Sequence, residues 1–168
     1  MKPDVSTNQS ELLRMKYTEA DIIPLKDPLE FIRSHQEMFL PFGNLRASSL
    51  VAILVDEALS LTRAKASAFR VDDWWVVSCE SDWLLRSTEQ SIDTLFEQIT
   101  ACPQLGVNSH YFEVVLHAFA DDLITLTPQE SERLLIKGNA PAPEEIEAAK
   151  ELATDWKRMI LFRYHEPE

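Results

Sequence analysis

Apolar positions along this chain follow helical spacing in some stretches and strand-like runs in others. Residues 48–61 carry apolar side chains on more than one helical face, which predicts a deeply buried helix. Short runs rich in β-branched and aromatic residues occur in two pairs, and each pair predicts a β-hairpin. The paired runs are 64–71 with 74–79, and 123–127 with 133–137.

Capping residues predict where three further helices begin. Asp27 precedes Pro28, an arrangement typical of a helix start. Residues 87–90 read Ser-Thr-Glu-Gln, a capping box ahead of a helical apolar stripe. Asn108 or Ser109 can cap the helix that follows.

The C-terminal part of the chain predicts a long amphipathic helix over 144–162. The resulting order places antiparallel hairpins between helices, which favours an α+β fold: a two-layer sandwich with a mostly antiparallel sheet and helices on one face. We expect a flexible N-terminal arm over 1–20, an α/β sandwich over 21–138, and a linker with the C-terminal helix over 139–168.

The charge balance narrows the classes of partner. The 168 residues include 28 acidic and 16 basic side chains, for a formal net charge of -12. A nucleic-acid-binding protein normally carries a basic stripe, and this sequence has none. The negative electrostatic potential of the whole protein favours a basic protein partner. It has no apolar run near the ~20 residues that cross a bilayer, and no signal peptide, so we expect a cytoplasmic protein.

No motif in the sequence indicates a bound metal or another cofactor. The two cysteines, Cys79 and Cys102, form no zinc-type cluster and are expected to be reduced. His110, Glu113 and His117 share a helical face, but the two histidines stand seven positions apart, too far for one ion. An ordinary pairing of Glu113 with His117 explains this spacing better.

Two carboxylates interrupt the most apolar helix. Asp56 and Glu57 lie among aliphatic residues, where a buried carboxylate is costly unless it is paired or binds a ligand. They form either a site or a polar helix edge that faces solvent or pairs with Arg63 or Lys65. The second alternative is the more frequent in proteins.

Three tryptophans lie close together in the sequence. Trp74 and Trp75 are adjacent in a predicted strand, so their side chains point to opposite faces of the sheet. One of them is expected in the core, and the other is a candidate anchor for a protein partner, as is Trp83. Packing in the core or at an edge strand is the alternative for each.

The order of several segments resembles the ATPase domain of DNA gyrase B and other type II topoisomerases, which belong to the GHKL (Bergerat-fold) ATPases. Residues 29–33 and 37–43 are similar to the segment that precedes the nucleotide-binding helix of that family. Residues 50–61 are similar to the helix itself. Residues 106–109, followed by 112–115, resemble its glycine-rich lid and the helix behind it. The resemblance covers roughly residues 27–137.

The chain departs from this family at the positions that carry chemistry. Ile53 stands where the family has the glutamate that activates water, and Glu57, beside a matching Asp56, stands where it has the asparagine that binds Mg²⁺. Glu80 or Asp82 would have to accept the hydrogen bond from adenine.

The glycines of the family are also largely missing. Both glycines of its adenine-binding motif are absent, and Trp83 crowds that position. Gly106 survives in the lid, but Ser109 and Tyr111 replace later glycines, so few residues remain free to adopt positive φ around phosphates. The resemblance therefore implies an ATPase-like fold whose nucleotide chemistry has been lost.

Three functions agree with these features. The first is a catalytically inactive ATPase-like domain that binds another protein, which we expect to be basic. The second is a small acidic inhibitor of the bacterial immunity or antitoxin type, and the third is a regulator that binds a nucleotide without hydrolysing it. The chain is expected to be a monomer or a homodimer. In the gyrase-type family the N-terminal arm exchanges between subunits; residues 1–20 either do the same or are mobile.

Overall fold

A computed structural model describes residues 24–40, 45–84, 91–129 and 134–167. Within these ranges the chain forms six helices and five strands. The helices are α1 (Pro28–Ser34), α2 (Gln36–Phe39), α3 (Ala47–Thr62), α4 (Ile92–Glu97), α5 (Glu113–Phe119) and α6 (Pro143–Leu152). The strands are β1 (Ala66–Val71), β2 (Trp74–Cys79), β3 (Asp122–Leu126), β4 (Leu134–Lys137) and β5 (Arg158–Arg163).

The five strands form one antiparallel sheet in the order β1-β2-β5-β3-β4. The two predicted hairpins are both present, and β5 lies between them. The predicted helix over 144–162 is therefore wrong beyond Leu152. Residues 158–163 form the central strand, because their apolar run is buried on both faces of the sheet. Asp155, with φ 52°, lies in the turn between α6 and β5.

Helices pack on both faces of this sheet. Alternate residues of β5 point in opposite directions: Ile160 and Phe162 join one core with α1, α3, α4 and α5, while Met159 and Leu161 join a second core with α6. The predicted α+β fold with helices on an antiparallel sheet is confirmed. The sequence predicted helices on one face only, whereas α6 covers the other face. Helix α6 comes from the segment that was predicted to be one long helix.

Local sequence features account for some of the element boundaries. The amide of Glu30 donates to Asp27 Oδ1 at 3.0 Å, so the predicted cap of α1 is confirmed. Asp72 adopts φ 49° in the first hairpin turn. The predicted cap of α5 is wrong, because that helix begins only after Phe112, and Asn108 lies in the preceding loop with φ 67°.

Three sequence predictions fall outside the described residues: the arm over 1–20, the capping box over 87–90, and the start of the fourth predicted run at Arg133. In the part of the chain that the structure describes, no helix is long and apolar enough to span a bilayer.

Candidate functional site

A cleft of about 550 Å³ opens between α3 and the segment 104–112. One wall is a single face of α3, formed by Ile53, Asp56, Glu57 and Ser60 at the spacing of successive helical turns. The structure thus brings Ile53, Asp56 and Glu57, all singled out from the sequence, close to the loop that carries Gly106.

The opposite wall is a short, internally bonded loop. Ala101 and His110 form an isolated antiparallel bridge, and the amide of Cys102 donates to the carbonyl of Ser109 at 2.8 Å. Gly106 has φ 136°, which a side chain would strain. These contacts hold the loop in a defined shape beside α3.

Glu57 lies at the inner side of the cleft and is only 3% exposed. The amide of Phe112 donates to Glu57 Oε1 at 3.1 Å and to Oε2 at 3.4 Å. Burial, followed by the neighbouring carboxyl of Glu113, raises the pKa of Glu57 well above its ordinary value. The alternative that it faces solvent or pairs with Arg63 or Lys65 is wrong for Glu57, although Asp56 beside it is exposed.

Glu113 is fully buried behind Glu57. The indole N–H of Trp83 donates to Glu113 Oε1 at 2.9 Å. Its other oxygen, Oε2, is buried without a hydrogen-bond donor among the described residues. Burial raises the pKa of Glu113 to about 7, against the lowering effect of the Trp83 N–H.

The two buried acids are therefore stabilised when one of them is protonated. Two adjacent carboxylates in a low-dielectric site repel each other, so one of them holds its proton to a higher pH. Burial raises the pKa of both acids, and the neighbouring Glu113 raises that of Glu57 further. The pair therefore holds a proton to a higher pH than an exposed glutamate does.

The remaining walls of the cleft offer no fixed positive charge. Its lining, as far as the structure describes it, contains Asp56 and Glu57 but no lysine or arginine. Burial lowers the pKa of His110, whose ring meets that of Phe39 edge-on at 5.3 Å between centroids. The cleft is therefore negative or neutral at pH 7 and suits a cation better than a phosphate.

The residues expected to contact adenine lie elsewhere. Asp82 accepts hydrogen bonds from Arg158, at 3.0 Å from Nε and 2.7 Å from Nη2, and it also accepts from the amide of Leu84. Glu80 is exposed, 4.0 Å from the ammonium of Lys65. Neither side chain lines the cleft, so the structure separates them from the α3 residues.

Two of the three tryptophans are core residues. Trp74 is 1% exposed and Trp83 is fully buried, so the alternative of packing in the core is confirmed for both, and neither is a surface anchor. Trp75 is half-buried, with the guanidinium of Arg70 over its ring at 5.1 Å, and it lines a second cleft of about 410 Å³. Its role as an anchor stays a prediction.

The prediction that His110, Glu113 and His117 share a helical face is wrong, because His110 lies in the bridge with Ala101, before α5 begins at Glu113. His117 Nδ1 lies 2.8 Å from the carbonyl of Phe96, while Glu113 contacts Trp83, so the predicted pairing of Glu113 with His117 is wrong. No group of three or more His, Cys, Asp or Glu side chains within the described ranges is placed to hold a metal ion.

Sequence reasoning gave Glu113 the wrong partner and missed Arg158, and both residues shape this region. Glu113 stands directly before the apolar run Val114–Leu116, a carboxylate in the same kind of setting as Glu57, and that signal was available. Arg158 is the first residue of β5, before its apolar run. Because this segment was predicted to be a helix, Arg158 was not expected in the sheet. Compared with protein-family models, curated proteins and solved structures, the chain matches none.

Proposed function

We propose that this chain is a catalytically inactive, ATPase-like module that binds a basic segment of another protein in the cleft beside α3. One observation carries the proposal: the wall of the cleft presents Asp56 and Glu57, and the described lining contains no lysine or arginine. A cationic side chain gains from this field, whereas a triphosphate loses.

The same wall argues against ATP hydrolysis. Hydrolysis requires a base that activates water, a metal that neutralises phosphate charge, and donors around the phosphates. Ile53 occupies the place of the base in the resemblance, and it has no proton to exchange. Glu57 is engaged with Phe112 and Glu113, so it is a poor substitute.

An exposed apolar side chain at the rim supports a protein rather than a small molecule as the ligand. Val107 is 93% exposed in the loop that forms the second wall. It lies between Gly106 and Asn108, both with positive φ. A partner with a basic side chain for the cleft and an apolar pocket for Val107 would use both features.

The proposal extends to the setting of this interaction. The net charge of -12 steers a basic partner toward the chain, so association should slow as salt is raised. We propose that it takes place in the cytoplasm and that the chain acts as a monomer or a homodimer.

Copurification from the native host, followed by mass spectrometry, tests the proposal with matched variants. Wild type should recover a basic protein, and Asp56→Asn combined with Val107→Ser should lose it. The control replaces Glu151 and Leu152 on α6 with Gln and Ser. It removes one exposed acid and one exposed apolar side chain on the other face of the sheet. Equal losses from the two double variants would mean that total charge, not the cleft, binds the partner.

The claim about ATP is tested separately by titration calorimetry with Mg-ATP and by a phosphate-release assay. We expect neither binding at micromolar concentration nor turnover. Micromolar binding without turnover would instead favour a nucleotide-binding regulator. Steady turnover abolished by Glu57→Ala would contradict the proposal altogether.

A further inference from the structure

The buried carboxyl pair is more than a part of the cleft wall. Glu57 and Glu113 belong to different helices, α3 and α5; Glu57 lines the cleft, and the fully buried Glu113 is its electrostatic neighbour. Glu113 is fully buried, yet its Oε2 has no hydrogen-bond donor among the described residues. A fully buried acceptor without a donor costs about 1–3 kcal/mol, and more when it is charged, so such an atom points to a missing partner.

We propose that the carboxyl pair Glu57–Glu113 is the binding site for one cationic group, a guanidinium or an ammonium, and that the cation replaces a proton held by the pair. This inference rests on the proposed function and assigns the chemistry of the group that enters the cleft. Both sources, arginine and lysine side chains, present N–H donors on a positive charge.

The groups near the pair come from α3 and from the described segment 102–112. Asp56 precedes Glu57 on α3, the Cys102 thiol and the amide of Phe112 lie near the acids, and His110 lines the same cleft as Glu57. The indole N–H of Trp83 reaches Glu113 from behind.

The one arginine that acts on the pair is committed elsewhere. Arg158 of β5 lowers the pKa of Glu113 through its charge, but its own hydrogen bonds go to Asp82 and Thr125. No lysine or arginine among the described residues makes a hydrogen bond or ion pair with either acid of the pair.

The proton balance is simple. Without the cation, one proton lies between the two carboxyls, and the pair carries a single negative charge. When the cation binds, it donates N–H groups to the carboxylates, and the proton leaves to solvent. Two carboxylates and one cation then give the site the same single net negative charge as before. Binding therefore strengthens as pH rises, by about tenfold per pH unit while one proton is released per cation.

Nuclear magnetic resonance titration tests this on the full chain, with methylguanidinium and methylammonium chloride as probes. Both ions keep their charge through the pH range, and the two arms compare the arginine and lysine chemistries. The local reporters are the indole N–H of Trp83 and the amide of Phe112. The Trp74 indole, which donates to Glu145 on the other face of the sheet, is the matched control signal.

We expect saturable shifts of both reporters but not of the control, with an affinity that increases about tenfold from pH 5.5 to 6.5. Calorimetry in phosphate and in Tris should show about one proton released per cation. Glu57→Gln keeps an acceptor for Phe112 and a donor for Glu113 but cannot ionise. It should weaken binding at pH 7.5 at least fivefold and abolish proton release, and Glu113→Gln provides the same test if the first variant fails to fold.

Absence of saturable shifts at 100 mM of either probe, or binding without proton release, would overturn the inference. The proposed function has a separate outcome. If the basic partner is captured by wild type and lost with the Asp56 and Val107 variants, yet binds equally to Glu57→Gln, the protein-binding role stands and the role of the pair does not.

Discussion

Two regions of this protein hold acidic side chains largely away from solvent, and they do so in opposite ways. Below β5, Asp82 receives two hydrogen bonds from Arg158, whose side chain is 2% exposed, and Arg158 also donates to Thr125. Beside α3, Glu57 and Glu113 face each other, and neither makes a hydrogen bond or ion pair with a described lysine or arginine. One region neutralises its carboxylate with a cation, and the other does so with a proton.

The difference separates a structural pair from a candidate site. A bidentate arginine fixes the geometry of its carboxylate through two charge-assisted hydrogen bonds. A shared proton leaves the second pair adjustable, because pH or an external cation can change its charge. Two buried acids that lack a positive partner beside a cleft are therefore better evidence for a binding site than the well-formed ion pair of Asp82 with Arg158.

The largest expected effect comes from breaking the structural pair. Arg158→Met should lower the free energy of unfolding by about 3–4 kcal/mol, because Asp82 then loses its partner in a mostly buried position. Urea denaturation followed by tryptophan fluorescence measures this loss.

The matched control is Arg70→Met in β1. Its guanidinium lies 3.7 Å from Asp73 with half of the side chain exposed, so the loss should stay below about 0.5 kcal/mol. A loss of similar size in both variants would show that burial does not distinguish the two arginines.

The proton-neutralised pair should make stability depend on pH in a definite direction. The folded pKa of Glu113 is raised from 4.5 to about 7, and that of Glu57 is raised well above its ordinary value. The folded state therefore binds more protons than the unfolded state in this range. Stability is complete below pH 4.5 as far as this pair is concerned, and it is lost as pH rises toward 7 and beyond, by on the order of 3 kcal/mol.

Urea denaturation at pH 5, 6, 7 and 8 measures this dependence. Glu57→Gln should flatten it, because the amide donates to Glu113 at every pH. Asp56→Asn, an exposed neighbour on the same helix, should leave the slope nearly unchanged. A wild-type stability that rises from pH 5 to 8 would contradict the shared proton.

The comparison also shows what the sequence could reveal about the fold. Helix α3, its flanking hairpin and the cap at Asp27 follow from local patterns, and they were predicted correctly. Residues 158–163 were not, because a short continuous apolar run fits a buried helix and a central strand equally well. Only the pairing of β5 with β2 and β3, which are distant in sequence, decides between them.

The site was predictable only in part, for a related reason. Asp56 and Glu57 stand out as carboxylates among aliphatic residues, and the order of segments led to the loop around Gly106. The meeting of Glu57 with Glu113 depends on how α3 packs near α5, which no spacing along the chain encodes. Trp83 was predicted to be either a partner anchor or a packing residue, and neither alternative foresaw that its indole N–H donates to the buried Glu113.

A smaller effect is expected at a third buried carboxylate, Asp122, which resembles Asp82 in having an arginine. Arg163 Nη2 lies 2.7 Å from Asp122 Oδ2, and the backbone amide of Asn139 donates to Oδ1. Although burial opposes it, these contacts lower the pKa of Asp122. Gly138 has φ 67°, and a Cβ there would overlap Asp122 Oδ1. Gly138→Ala should therefore cost roughly 2 kcal/mol through backbone strain and a displaced carboxylate.

A double-mutant cycle separates the two causes. In an Asp122→Ala background, the added methyl group at position 138 no longer meets a carboxylate. Gly138→Ala should then cost less than in wild type by more than about 0.5 kcal/mol, the usual limit of additivity. Equal costs in both backgrounds would mean that positive φ and the nearby carbonyl of Asp121 account for the whole loss. Displacement of Asp122 would then cost little, unlike loss of the Asp82 pair. In that case an arginine partner alone would not show that a carboxylate is essential to the fold.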